Sequence, residues 1–168
     1  MAIGAASTNP PEFSGSFGAY ETLDPVNPVP DVAFLDADGA PIKLDAFEGQ
    51  VVLLNFWATW CAPCVKELPA LDALQADLGG DDFTVLIVSV DRKGEEVAAP
   101  FLEDLGITHL QSAFDAESEL ARALSATGLP TTYVIDRDGM VRGRLLGDAE
   151  WHSDPAKALM SYYIEQGV

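Results

Sequence analysis

Cys61 and Cys64 are the only thiols in this 168-residue chain, and they stand three positions apart. A disulfide closing so short a loop restricts the unfolded chain very little, so a stabilising staple is a poor use for the pair. A structural zinc centre needs four ligands. Only His109 and His152 could join the cysteines, at separations that match no finger spacing. What remains is chemistry at sulfur: reversible dithiol–disulfide exchange, with no metal and no cofactor expected.

The flanking elements favour that chemistry. Val51-Val52-Leu53-Leu54-Asn55-Phe56-Trp57 is a near-continuous apolar run, suited to a central strand covered on both faces. Residues 62–78 place Val65, Leu68, Leu71, Leu74 and Leu78 at helical spacing, and Gly79-Gly80 ends the helix. Cys61 therefore falls where a buried strand gives way to a helix. Unpaired backbone N–H groups and the positive end of the helix dipole lower a thiol pKa there. Cys61 is the predicted attacker, and Cys64, one turn further in and more shielded, the predicted resolving thiol. Pro63 is tolerated in the first turn, whereas Pro69 removes the bond to the Val65 carbonyl and predicts a kink. Two inert cysteines at a helix start are the bland alternative.

Residues 1–30 carry Pro10, Pro11, Pro25, Pro28 and Pro30 among Gly, Ser and Asn, and predict an extended or partly ordered arm without chemistry. Residues 31–168 then form one domain. Val32–Leu35 and Ile42–Leu44, around Asp38-Gly39, predict an N-terminal β-hairpin. A strand at Phe83–Val90 and helices at Glu95–Leu105 and Glu117–Ser125 follow. Thr131–Ile135 and Val141–Leu146 predict a hairpin around Asp136-Arg137-Asp138-Gly139, before an amphipathic helix at residues 154–165. The implied class is α/β, three layers around a central mixed sheet. Trp57 is expected in the core and Trp60 on an exposed rim. Trp151, Tyr162 and Tyr163 are expected to pack the last helix, and His109 and His152 to be ordinary polar residues.

With 27 acidic against 9 basic residues, a net charge of −18 argues against nucleic acid and anionic membranes and favours basic partners. The acidic positions are expected on a solvated face. No stretch resembles a spanning helix or a signal peptide, so the chain as given is expected to be soluble, without membrane contact, and monomeric.

The segment Asn55-Phe56-Trp57-Ala58-Thr59-Trp60-Cys61-Ala62-Pro63-Cys64-Val65-Lys66-Glu67-Leu68-Pro69, with Gly128-Leu129-Pro130-Thr131-Thr132 downstream, resembles the thioredoxin-like superfamily. More closely it resembles the TlpA/ResA-type branch, over about residues 30–166. The resemblance implies a thioredoxin-like fold and a cis Pro130 facing the cysteine pair, whereas Leu129-Pro130 by itself fits a trans turn equally well. Trp60, Ala62, Pro63, Leu129 and Pro130 become the expected substrate-binding face. The branch acts mainly as reductants of apocytochromes c or of copper-site cysteines in oxidase assembly factors. That implies disulfide-bearing protein substrates, an upstream electron-donating thiol protein, and an extracytoplasmic location with a membrane anchor in the full-length form.

Asn55 departs from thioredoxins proper, which carry an aspartate there for proton transfer. Glu67, three residues after Cys64 and matching a glutamate of the resembled branch, is the candidate to replace it, although the position also fits a solvated glutamate beside Lys66. Ala62-Pro63 supplies no cation to hold a thiolate, so the pair is expected to be reducing. Rival readings are a Cu(I) chaperone with His109 or His152 as third ligand, a general cytosolic thioredoxin, and a thiol peroxidase. The last needs an arginine near its cysteine, and none lies between Leu35 and Asp91.

Overall fold

A strand made entirely of apolar residues and one amide can be satisfied only between two covering layers, and every residue of Val51–Trp57 is buried. The computed structural model describes residues 7–166. In chain order these form β1 (Glu21–Pro28), β2 (Phe34–Leu35), β3 (Pro41–Ile42), a 3-10 turn (Leu44–Phe47), β4 (Val51–Trp57), α1 (Ala62–Leu78) and β5 (Phe83–Ser89). Then come α2 (Glu95–Asp104), β6 (Gln111–Phe114), α3 (Glu119–Ala123), β7 (Thr131–Ile135), β8 (Met140–Leu146) and α4 (Asp154–Gln166). The strands make one sheet in the order β1-β8-β7-β4-β5-β6-β2-β3. Central β4 pairs parallel with β5 and antiparallel with β7, so the sheet is mixed.

Alternation along β4 builds two cores. Val51, Leu53 and Trp57 pack with Leu68 and Leu71 of α1, Leu102 of α2 and Met160 of α4. Val52, Leu54 and Phe56 pack with Phe47 of the 3-10 turn and Leu120 of α3. The result is the expected three-layer thioredoxin-like architecture, with β2 and β3 as the expected hairpin.

The arm is where the reading needs correction; its residues 1–6 lie outside those described. Residues 21–28 are not separate from the sheet, because β1 pairs antiparallel with β8. Pro25 and Pro28 are compatible with this since β1 is an edge strand, whose outer side owes no ladder bonds, and its register shifts between Thr22 and Asn27. Upstream, Phe13 is buried with its ring 5.0 Å from that of Trp151. The Tyr20 and Tyr163 hydroxyls share a 2.8 Å hydrogen bond. The acidic residues are not all solvated either: Asp91, Asp115 and Asp136 are buried. The helix expected at Glu117–Ser125 shortens to α3, and β6, with two polar residues among four, was not anticipated.

A Cβ added at Gly143 in β8 would overlap the Tyr20 ring and the Glu21 carbonyl. Gly143→Ala should therefore push the arm off the sheet, lowering stability by about 1–3 kcal/mol. Denaturant melts check the loss, and limited proteolysis should show faster cleavage within residues 13–28.

Candidate active site

The turn joining β4 to α1 is tied down from both sides. Val90 N–H donates to the Trp57 carbonyl (2.9 Å) and Cys61 N–H to that of Ala58 (3.1 Å). Buried Asp91, just beyond β5, accepts from Thr59 N–H (3.0 Å), Thr59 Oγ1 (2.7 Å) and Ser89 Oγ (2.7 Å). Cys61 thereby occupies the N-cap of α1, its sulfur accepting from Cys64 N–H at 3.4 Å. Pro63 sits in the first turn, where no intrahelical N–H is required. Cys61 and Cys64 form a disulfide with Cα atoms 5.3 Å apart. The two sulfurs are not equivalent, since Cys61 keeps 7% exposure and Cys64 none.

Around Cys61, Trp60 is 73% exposed, and Ala62 and Pro63 are exposed. Thr131, which opens β7, pairs with Phe56 near the end of β4, so the Gly128–Pro130 loop emerges at the same end of the sheet as the cysteine turn. The Leu129–Pro130 peptide is cis. Pro130 is buried and its carbonyl accepts from Gly147 N–H (2.9 Å), while Leu129 has no backbone partner among the described residues. Thr59, Trp60, Gly128 and Leu129 border one cavity of about 950 Å³.

Glu67 is 3% exposed, which removes the solvated alternative. One carboxylate oxygen accepts from Asn55 Nδ2 (2.7 Å). The other accepts from Ala149 N–H (3.1 Å) and Trp151 Nε1 (3.0 Å). Burial pushes the Glu67 carboxyl up to about 7, against the pull of these three donors and with help from nearby Asp148. Asn55 Nδ2 also donates to Thr132 Oγ1 (3.0 Å).

Sequence reasoning missed Asp91, Ala149 and Trp151. Nothing in the sequence ties residues 149 and 151 to residue 67, and Trp151 was assigned only to packing against α4, which it also does. The histidines lie away from the sulfurs, His109 against Asp72 (3.2 Å) and His152 against Asp77 (2.6 Å). Those aspartates sit roughly 12 and 20 Å along α1 from Cys64 at the helical rise of about 1.5 Å per residue. Neither histidine is placed as a third copper ligand, and among the described residues no three His, Cys, Asp or Glu side chains gather as a metal site.

A redox-capable disulfide at the start of a helix, on a thioredoxin-like sheet, defines a thiol–disulfide oxidoreductase. Comparison with known proteins gives the family. The AhpC/TSA family model matches residues 25–144. The thiol-disulfide oxidoreductase ResA of Geobacillus kaustophilus is 32% identical over 133 residues, 76% of this chain and 75% of that protein. Among solved structures, one from Chlorobium tepidum, assigned as a thiol:disulfide interchange protein DsbE, superposes with a TM-score of 0.74 at 30% identity. It covers 84% of this chain and 99% of that one. A secreted thiol-disulfide isomerase from Corynebacterium glutamicum gives 0.71 at 27% identity, over 87% and 92%. The chain belongs to the AhpC/TSA family, in its ResA-type thiol–disulfide oxidoreductase branch.

The Glu67 carboxyl makes stability depend on pH with a definite sign. The folded chain holds its proton up to about pH 7, against 4.5 ordinarily. Between these values the folded state binds more protons than the unfolded one. The stability due to the protonated form is thus complete below pH 4.5 and lost as pH rises through 7, about 3 kcal/mol in all. Denaturant melts of the oxidised proteins should show the wild type losing that amount relative to Glu67→Gln between pH 4.5 and 8. A difference constant with pH would mean that this carboxyl titrates normally.

Proposed function

We propose that the chain reduces disulfides in proteins outside the cytoplasm, with Cys61 attacking and Cys64 resolving. The observation that carries this reading is the inequality of the two sulfurs: Cys61 partly exposed at a helix N-cap, Cys64 fully buried. In the reduced protein the Cys61 thiolate attacks one sulfur of the substrate disulfide. An S–S bond to Cys61 forms, and the other substrate sulfur leaves as a thiolate. Cys64 then gives up its proton, attacks the Cys61 sulfur and releases the second substrate thiolate. The Cys61–Cys64 disulfide closes, and two electrons have passed to the substrate. An upstream thiol protein returns them.

Glu67, on the same face of α1 as Cys64, is the proposed acceptor of the Cys64 proton; a carboxyl poised near pH 7 can both take and return it. Trp60, Ala62, Pro63 and the Leu129–Pro130 loop are the proposed substrate face, where the unpaired Leu129 backbone can receive an extended peptide. The direction rests on the lack of a cation in Ala62-Pro63: Lys66 is exposed and stands 3.7 Å from Asp148. Its reduction potential should lie nearer that of thioredoxin, about −270 mV, than that of DsbA, about −120 mV. The branch resemblance supports apocytochromes c or copper-site assembly factors as substrates. Together with the secreted Corynebacterium glutamicum relative it supports an extracytoplasmic site, membrane-anchored in the full-length form. Among the described residues no helix is long and apolar enough to cross a membrane.

Cys64→Ala expressed in the native cell envelope should accumulate mixed disulfides through Cys61, identified by non-reducing gels and mass spectrometry. If nothing accumulates, a protein substrate is ruled against. Stopped-flow resolution of a preformed mixed disulfide should accelerate as pH rises through 7, where Glu67 becomes a base. In Glu67→Gln it should be slower by about tenfold to a hundredfold above pH 7. An unchanged pH profile in the variant would remove Glu67 from the proton path.

A further inference from the structure

Nine basic residues serve this chain of net charge −18. Six of them, Lys43, Lys66, Arg137, Arg142, Arg144 and Lys157, each stand within 4.0 Å of an Asp or Glu oxygen. The other three, Arg92, Lys93 and Arg122, have no such partner among the described residues, and all three line the 950 Å³ cavity beside Trp60 and Leu129. With three acids for every base, cations left unpaired by chance should be scattered; here they share one concave surface.

Two carboxylates also border the cavity and offset part of its charge, leaving three cations against two acids on a protein that elsewhere carries a large acidic excess. Asp91 is buried and its oxygens are occupied by Thr59 and Ser89. Glu117 is exposed and meets Arg122 through its backbone, whose carbonyl accepts from Nη2 at 2.7 Å. Val97, Ala126 and Leu129 add apolar surface to the same wall, beside the hydroxyls of Ser118 and Thr127. The volume lies in the range of pockets that enclose a ligand, roughly 300–1,000 Å³. Its border includes the Thr59-Trp60 turn that leads into Cys61 and the Gly128-Leu129 loop.

We infer that this cavity is a recognition site for an acidic segment of the protein substrate, next in sequence to the disulfide that Cys61 attacks. This rests on the reading of Cys61 as the attacking thiol. Carboxylates of the segment meet Arg92, Lys93 and Arg122 while apolar residues lie against Trp60 and Leu129. At physiological salt the screening length is about 8 Å, so a bound segment responds to these three cations more than to the distant acids that dominate the net charge. Bulk charge favours basic partners at long range; the cavity selects for acid at contact.

The test uses three cystine peptides that differ only in flanking residues, Glu-rich, Ser-rich or Lys-rich, and measures kcat/KM for their reduction by the full chain. The Glu-rich peptide should lead the Ser-rich one by about tenfold, as three partly solvated ion pairs together supply about 1.4 kcal/mol. In Arg92→Glu/Lys93→Glu, which leaves the Arg122–Glu117 contact in place, that ratio should fall below one. A charge-matched control, Lys43→Glu/Lys157→Glu, should keep it near ten. Equal rates for the three peptides overturn the proposal, and so does a preference that the groove variant leaves intact. Failure of the underlying reading looks different: reduction of the Ser-rich peptide would then be absent, or would persist in Cys61→Ser.

Discussion

A carboxyl group withdrawn from water is costly unless hydrogen-bond donors meet its oxygens. At Glu67 those donors come from distant parts of the chain: Asn55 on β4, the Ala149 backbone and the Trp151 indole beyond β8. Each must be in place for the others to be useful, so this one buried acid locks α1, the central strand and the loop before α4 into a fixed relation. The arm belongs to the same assembly. Phe13 lies against Trp151, and Ser16 N–H donates to the Asp148 carbonyl, next to the residue whose N–H meets Glu67. A segment that by composition carries no chemistry thus holds the residues that set a carboxyl near pH 7.

The amide at position 55 is part of the same balance. An aspartate there would stand 2.7 Å from the Glu67 oxygen, and two carboxylates that close cannot both ionise. Asparagine leaves a single titrating group and donates to it, while Thr132 on neighbouring β7 fixes the amide from the other side. β4 therefore does two things with one pleated face: its apolar residues bury against α1, and its one polar side chain sets the environment of the acid on that helix.

Much of this was legible because the decisive signals are local. The 51–57 run, the helical spacing after Cys61, and the Asp136–Gly139 turn each state their element within a few residues, and the structure places β4, α1, β7 and β8 within a residue of expectation. β1 was not legible because Glu21–Pro28 has two prolines and no alternation; an edge strand needs neither full donors nor a buried face, so the sheet alone creates it. The partners of Glu67 were hidden for another reason. They lie 82 and 84 residues away, and a backbone N–H leaves no trace in a sequence at all. Its spacing from Cys64 gave the right face of α1, but only the fold could decide between solvated and buried.

Charge shows the same limit from the opposite side. Net charge treats every acid as a solvated point, yet several acids here are internal fittings. Asp115 accepts from the N–H groups of Glu119, Leu120 and Ala121 and so caps α3, whose preceding Ser118 makes no side-chain cap. Asp136 gathers Asp138 and Met140 N–H groups and the Arg142 guanidinium into the β7–β8 turn. Asp91 fixes the turn before Cys61. Acids committed to backbone donors and bases committed to acids drop out of the surface available to a partner. The charge exposed beside the Trp60 turn is set by the few groups left over, and a count over the whole chain gives neither their sign nor their place.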